Sequence, residues 1–178
     1  MARALLIIDV QNDFARPHGA LPVPRGEEVI EPINALARSG RFDLVVATRD
    51  WHPDDHASFA EHGGPWPPHC VRGTAGAELV AELDREAIDA IVDKGTERTG
   101  EGYSGFEADE LIEHLRRAGV DEVTIVGLAA DYCVRHTALD ARRHGLRVRL
   151  HREGVRGIAP ETTAAALAEL EDAGVEIA

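Results

Sequence analysis

The sequence has few aromatic residues, a single lysine and no long hydrophobic run. Aromatic residues make up 4% of its 178 residues, so the core must consist mainly of alanine, valine, leucine and isoleucine. Of its 19 basic residues, 18 are arginines and the other is Lys94. No apolar stretch approaches the roughly 20 residues of a membrane-spanning helix, and no apolar region of a signal peptide is present. We therefore expect a cytoplasmic protein with no membrane partner.

The sequence is also poor in cysteine and in positive charge. Its formal net charge of −13 disfavours binding to nucleic acid or to an anionic membrane, because both attract basic surfaces. Cys70 and Cys133 could form one disulfide, but a chain without an export signal usually keeps its thiols reduced, so we expect both to be free. The length predicts a single domain over residues 1–178, and a homo-oligomer is compatible with the sequence.

Apolar strand-like runs alternate with amphipathic helical segments along the chain. The strand-like runs are ALLIID (4–9), DLVVAT (43–48), AIDAIVD (87–93), EVTIVGL (122–128), LRVRLH (146–151) and a terminal VEIA. The helical segments are GEEVIEPINALARSG, AGAELVAELD, FEADELIEHLRRAG, DYCVRHTALDARRHG and APETTAAALAELEDAG. This alternation predicts a doubly wound α/β fold with a mainly parallel six-stranded sheet and helices on both faces.

Three reactive side chains lie at or just after predicted strands. Asp9 ends the first strand, Lys94 directly follows the third, and Cys133 lies beyond the fourth. Because the carboxyl ends of parallel strands meet at one edge of the sheet, we expect these groups to lie close together. Asp131 is a suitable N-cap residue for the next helix and would place Cys133 in its first turn, where a thiolate is favoured. An acid, an amine and a thiol together suggest nucleophilic catalysis.

The segment of residues 50–75 has no helical periodicity and is rich in histidine, proline and glycine. Asp50, His52, His56 and His69 lie within it. Carboxylate and imidazole ligands together suit a divalent transition ion such as Zn²⁺, Mn²⁺ or Fe²⁺. We therefore predict that this segment binds one divalent metal ion.

Two alternatives remain open for this loop. His62 and Cys70 are further candidate ligands in the same segment. The histidines could also be solvated residues of a polar surface loop, since extended imidazole clusters are less specific than a paired CxxC motif.

Five motifs resemble those of the cysteine hydrolases related to isochorismatase, and most closely those of the nicotinamidase branch. They are LLIIDVQNDF, ATRDWHPDDHASF, WPPHCVRGT, DKGTERTGEGYSGF and GLAADYCVRHTALDA, and together they span nearly the whole chain in order. The resemblance implies hydrolysis of nicotinamide, or of an analogue, to nicotinate and ammonia, and a role in NAD salvage. It also implies that Cys133 is the nucleophile, that Asp9 transfers protons and that Lys94 supports the charge of both.

The resemblance further implies the other residues of the site. Asp50, His52, His56 and His69 match the metal ligands of the family. A cis peptide bond between Leu128 and Ala129 would direct the amides of Ala129 and Cys133 towards the oxyanion. The residues that would contact the substrate are Phe14, Trp66, Tyr103 and Leu128. Ala15 and Ala130 depart from residues common in relatives, which concerns the shape of the pocket and leaves the mechanism intact.

Two other functions remain compatible with the sequence. One is an amidase of the same fold that acts on another small amide or carbamoyl compound. The other is a non-catalytic module that binds metal or senses oxidation through Cys70 and Cys133.

Overall fold

The computed structural model of residues 1–178 contains one six-stranded sheet in which every strand pair is parallel. The strand order is β3-β2-β1-β4-β5-β6. The strands are β1 (Ala2–Ile8), β2 (Leu44–Asp50), β3 (Ala90–Lys94), β4 (Val120–Leu128), β5 (Arg147–Arg156) and β6 (Glu176–Ile177). This confirms the predicted doubly wound fold. Because the first and last strands belong to the same sheet, we propose that these residues form one domain.

Helices cover both faces of the sheet. They are α1 (Asn12–Ala15), α2 (Ile30–Ala37), α3 (Asp109–Arg117), α4 (Arg135–Arg143) and α5 (Pro160–Asp172). The first two pack on one face and the last three on the opposite face, which gives two hydrophobic cores. No helix is long and apolar enough to cross a membrane.

The central strand β1 is buried on both faces because its side chains alternate between the two cores. Leu5 and Ile7 pack in one core, whereas Leu6 and Ile8 pack in the other. A strand of this kind reads as a continuous apolar run, as ALLII does. Asp9 follows at the carboxyl edge with a φ of 50°, where the chain leaves the sheet.

The predicted helix over residues 75–84 is wrong. Only Ala75–Ala77 forms a short 3-10 turn, Leu79 forms an isolated β-bridge with Gln11, and a turn follows at residues 81–82. The Val80 amide donates to the Val10 carbonyl at 3.0 Å, and the Asn12 amide donates to Glu78 at 2.9 Å. These bonds to the loop after β1 replace the bonds of a helix, while Val80 and its apolar neighbours are still buried. Tertiary hydrogen bonds thus outweigh the helical pattern of this segment.

Candidate active site

The ends of three strands bring Asp9, Lys94 and Cys133 together. Lys94 Nζ lies 2.8 Å from Asp9 Oδ2 and 3.6 Å from Cys133 Sγ. The other carboxyl oxygen of Asp9 accepts a hydrogen bond of 2.7 Å from the Thr48 hydroxyl. All four side chains are buried. The thiol, carboxyl and ammonium therefore face one another in a site shielded from bulk water.

Lys94 is held by three oxygen atoms. Besides Asp9, its Nζ donates to Asp50 Oδ1 at 2.5 Å and to the Gly102 carbonyl at 2.6 Å. Burial opposes the positive charge of Lys94, but Asp50 and Asp9 outweigh it and raise the pKa of Lys94 well above its usual value. Lys94 is therefore a fixed cation that links the two carboxylates.

Burial shifts the pKa values of both Asp9 and Cys133 upwards, which makes Asp9 a stronger base than an ordinary carboxylate and keeps the Cys133 thiol protonated at rest. Burial, with a contribution from Asp50, raises the pKa of Asp9 to about 6 even though Lys94 opposes the shift. Burial likewise raises the pKa of the Cys133 thiol, although Lys94 acts to lower it. The sequence suggests a thiolate of low pKa at Cys133, whereas burial in the structure favours a neutral thiol next to a base. One oxygen of Asp9 and the sulfur of Cys133 lie within 4.8 Å of each other.

The turn that carries Cys133 differs from the expected helix start. The chain passes through a cis peptide bond between Leu128 and Ala129, as the resemblance implied, and then forms a π-helical turn, Ala130–Val134. Asp131 does not cap this turn. Its carboxylate instead accepts hydrogen bonds from the backbone amides of Ile158 and Ala159 and from the Thr162 hydroxyl, at 2.6 to 3.3 Å. Asp131 therefore ties the turn to the start of α5.

Four buried side chains beside Lys94 can hold a metal ion. Asp50 Oδ2 lies 3.3 Å from His52 Nε2 and 3.8 Å from His69 Nε2. The ring of His56 stacks on that of His52 with 3.9 Å between centroids. The Nε2 atom of His56 is buried and has no hydrogen-bond partner. A buried imidazole nitrogen of this kind is explained by a ligand that it would bind.

The second nitrogen of each imidazole is already bonded. The Nδ1 atoms lie 2.7 Å from the Gly95 carbonyl for His52, 2.7 Å from the Ser58 hydroxyl for His56 and 2.8 Å from the Pro67 carbonyl for His69. Such partners fix the ring orientation of metal-binding histidines and leave Nε2 for the ion. Burial also lowers the pKa of His56 to about 4, so this ring is neutral near pH 7, as a ligand must be. The ligand atoms of Asp50, His52 and His69 lie within 4.8 Å of one another and fit a divalent transition ion, and the unpartnered Nε2 of His56 is a fourth candidate ligand.

The two other candidate ligands of the loop lie outside this cluster. His62 is exposed and belongs to a short 3-10 turn. Cys70 is buried next to His69, and burial raises the pKa of its thiol. Both cysteines are free, as expected.

A small cavity opens next to Cys133 and the metal cluster. Phe14, Trp66 and Tyr103 line it, and Trp66 Nε1 donates to the Tyr103 hydroxyl at 3.0 Å. The side chain of Leu128 does not line the cavity. It is fully buried in the core between the sheet and α2, because it is the last residue of β4 and its side chain points into that core. A substrate contact of Leu128 therefore stays a prediction, which the lining of the cavity does not support.

Five further residues line the cavity and were not predicted from the sequence. They are Leu21, Ser58, Glu101, Tyr132 and Ile158. Tyr132 could have been found, since it directly precedes Cys133 in an aromatic-poor chain. Its ring packs against Trp66 at 5.0 Å. The others lie on irregular loops, where no periodicity indicates which side chains point inwards.

The fold and the site together define the class of protein. A buried thiol beside a carboxyl that can accept its proton, at the carboxyl edge of a doubly wound sheet, is typical of hydrolases that form a covalent acyl intermediate. The Isochorismatase domain matches residues 3–178. The chain belongs to the isochorismatase family.

Individual relatives are similar over their whole lengths. A nicotinamidase/pyrazinamidase of Mycobacterium tuberculosis is 47% identical over 184 residues, which cover 98% of this chain and 97% of the relative. A nicotinamidase of Escherichia coli is 37% identical, with coverage of 98% and 93%. The structure of a Pyrococcus horikoshii pyrazinamidase in complex with zinc matches with a TM-score of 0.91, 49% identity and coverage of 100% and 99%. PnC1 of L. infantum, in complex with nicotinate, matches with a TM-score of 0.95, 42% identity and coverage of 99% and 92%.

Proposed function

We propose that this protein is a metal-containing nicotinamidase, which hydrolyses nicotinamide to nicotinate and ammonia through a thioester on Cys133. The observation that carries the proposal is a buried Cys133 thiol, next to the ion pair of Lys94 and Asp9, that lines a small cavity together with Asp50, His52 and His69. The nicotinamidases among the relatives support the same reaction. This reaction would return nicotinate to the synthesis of pyridine nucleotides. A cytoplasmic location and a homo-oligomer remain predictions.

The first half of the reaction forms the thioester. Asp9 accepts the proton of the Cys133 thiol as Sγ attacks the carboxamide carbon. The amides of Ala129 and Cys133 stabilise the resulting oxyanion. When the C–N bond breaks, Asp9 returns the proton to the leaving nitrogen, and ammonia departs.

The second half hydrolyses the thioester. Asp9, ionised again, accepts a proton from a water molecule that attacks the same carbon, and the Cys133 sulfur leaves and is reprotonated. Lys94 holds Asp9 in place and stabilises its charged form in both halves. Its well-raised pKa keeps Lys94 protonated, so it acts through its charge and transfers no proton.

We propose that Asp50, His52, His56 and His69 hold one divalent transition ion, Zn²⁺, Mn²⁺ or Fe²⁺. When bound, the ion supplies an electrophilic centre towards which the nitrogen of a pyridine ring can be oriented. Phe14, Trp66 and Tyr103 provide apolar walls for that ring.

The proposal is tested by incubating the metal-loaded protein with nicotinamide and measuring ammonia. Benzamide, which lacks the ring nitrogen, is the matched substrate for the alternative of an unspecific small-amide hydrolase. We expect ammonia release from nicotinamide and much slower release from benzamide. No release from nicotinamide would disprove the proposal, and equal rates would favour the alternative amidase.

The two cysteines separate catalysis from thiol sensing. Cys133→Ala is expected to reduce kcat by at least about a thousandfold, since the nucleophile is lost. Cys70→Ala, which removes an equally buried thiol, is expected to keep most of the activity. Equal losses in the two variants, with both proteins folded by circular dichroism, would favour the sensing module.

A further inference from the structure

The wall of the cavity contains no arginine, although the chain has 18 of them. The titratable side chains that line it, apart from tyrosine and Cys133, are Asp50, His52, His69 and Glu101. Arginine is the residue that most often binds planar carboxylates, because its guanidinium can donate two parallel hydrogen bonds. Apart from the proposed metal site, the cavity therefore lacks a cationic side chain that could bind an anionic ligand of this type.

Lys94, at the floor of the site, does not replace the missing arginine. Its Nζ forms ion pairs with Asp9 and Asp50 and donates to the Gly102 carbonyl, at distances of 2.5 to 2.8 Å. Two carboxylates surround its single charge. A carboxylate ligand would have to displace one of these partners to reach Lys94.

Glu101 adds a negative charge to the same cavity. It is exposed, and its side chain forms neither an ion pair nor a hydrogen bond. Arg98 of the same loop pairs with Asp55 at 3.2 Å, and Arg135 at the start of α4 pairs with Glu169 at 2.5 Å. The charge of Glu101 is thus left uncompensated where the cavity opens to solvent.

The proposed reaction converts a neutral amide into an anion in this cavity. We propose that Glu101 is a specificity-determining residue that disfavours the carboxylate product and leaves the binding of the neutral substrate unchanged. This inference rests on the proposed function and explains why the cavity combines apolar walls with an unpaired acid. A negative charge repels only a ligand that is itself charged, so the effect begins when the acid product is formed. Product release, and not substrate binding, is the step that Glu101 favours.

The test compares Glu101→Gln with the unchanged metal-loaded protein. Nicotinate binding is measured by titration calorimetry and by product inhibition, and pyridine-3-methanol serves as a neutral ligand of similar shape. We expect Glu101→Gln to bind nicotinate about three- to tenfold more tightly, as for the loss of one charge near a solvated site. The affinity for pyridine-3-methanol and the KM for nicotinamide should change less than about twofold. Because the carboxylate is exposed, high salt should reduce the difference for nicotinate.

Glu97→Gln is the matched control, because Glu97 is an exposed acid of the same loop that does not line the cavity. Equal gains in nicotinate affinity for both variants would overturn the inference in favour of a general charge effect. An unchanged affinity of Glu101→Gln, or an equal gain for pyridine-3-methanol, would also overturn it. Absence of ammonia release by the unchanged protein would instead refute the proposed function, since the calorimetric titrations do not depend on turnover.

Discussion

Two buried carboxylates that contact the same lysine have pKa values shifted in opposite directions. Asp9 and Asp50 both contact Lys94 Nζ. Burial raises the pKa of Asp9 to about 6. Burial also acts to raise the pKa of Asp50, but Lys94 and His52 together outweigh it and lower the pKa of Asp50 far below its usual value. Asp50 thus stays ionised, as a metal ligand must, whereas Asp9 can exchange a proton near neutral pH.

This difference predicts an acid limb in the pH profile. Only the ionised Asp9 can accept the Cys133 proton, so activity is present above the pKa of Asp9 and lost as the pH falls through it. We expect kcat/KM of the metal-loaded enzyme to decrease below about pH 6, the value to which burial raises the pKa of Asp9. Circular dichroism over the same range controls for unfolding. A constant kcat/KM in folded protein well below this pH would contradict the role of Asp9.

Among the elements, the turn after β4 and the start of α5 depend on one buried side chain. Asp131 is 6% exposed, and it accepts the amide hydrogen bonds of Ile158 and Ala159. Ile158 lines the cavity, and Cys133 lies two residues after Asp131. The same contact therefore positions the nucleophile and part of the cavity wall. The sequence suggests that Asp131 caps its own helix, but its carboxylate binds the amides that directly precede α5.

Removal of this side chain should affect both stability and catalysis. Asp131→Ala leaves the amides of Ile158 and Ala159 unpaired, so we expect the free energy of unfolding to fall by about 2 to 4 kcal/mol. We also expect a lower kcat, because the Cys133 turn loses its support. Urea unfolding and steady-state kinetics measure the two effects.

Asp140→Ala provides the control for Asp131. Asp140 pairs with Arg143 on the surface of α4, and loss of such a pair should cost about 0.5 kcal/mol or less. If both variants were equally stable and equally active, the contact between the turn and α5 would have no structural role.

For the whole molecule, the architecture could be predicted from the sequence because apolar runs at most strands alternate with helical periods along the chain. Asp9 and Lys94 could be placed because strand ends in such a sheet lie on one edge. The structure of residues 75–84 could not be predicted, because it depends on hydrogen bonds to the loop after β1, which is distant in the sequence. Leu21, Glu101 and Ile158 of the cavity were also beyond prediction, because loops far apart in the chain place them there. Periodicity describes regular elements and does not describe loops.

The metal cluster connects loop residues that are up to 19 positions apart, between Asp50 and His69, so an ion should stabilise the whole fold. Binding to the folded state alone contributes about 2.7 kcal/mol at a free-ion concentration 100 times Kd. Chelation should therefore lower the Tm by about 5 to 10 °C, and Zn²⁺ should restore it. Differential scanning calorimetry with metal analysis measures this shift.

Two histidines of the same loop provide the matched variants for this experiment. His56→Ala removes a proposed ligand and should abolish most of the shift, whereas His62→Ala changes an exposed ring and should preserve it. An unchanged Tm after verified loss of the ion would contradict a stabilising metal site.

The position of Lys94 on an edge strand has a consequence for inactivation. Strand β3 pairs only with β2, and Ile91 on it is 44% exposed, yet its last residue is the buried Lys94. Edge strands open more readily than central ones, and local opening is cheaper than global unfolding. In mild denaturant, local opening of β3 would move the Lys94 ammonium away from Asp9 and Cys133 and inactivate the enzyme. The amide protons of β1 and β4 would still be protected from exchange. Heat or denaturant would thus inactivate the protein before it melted.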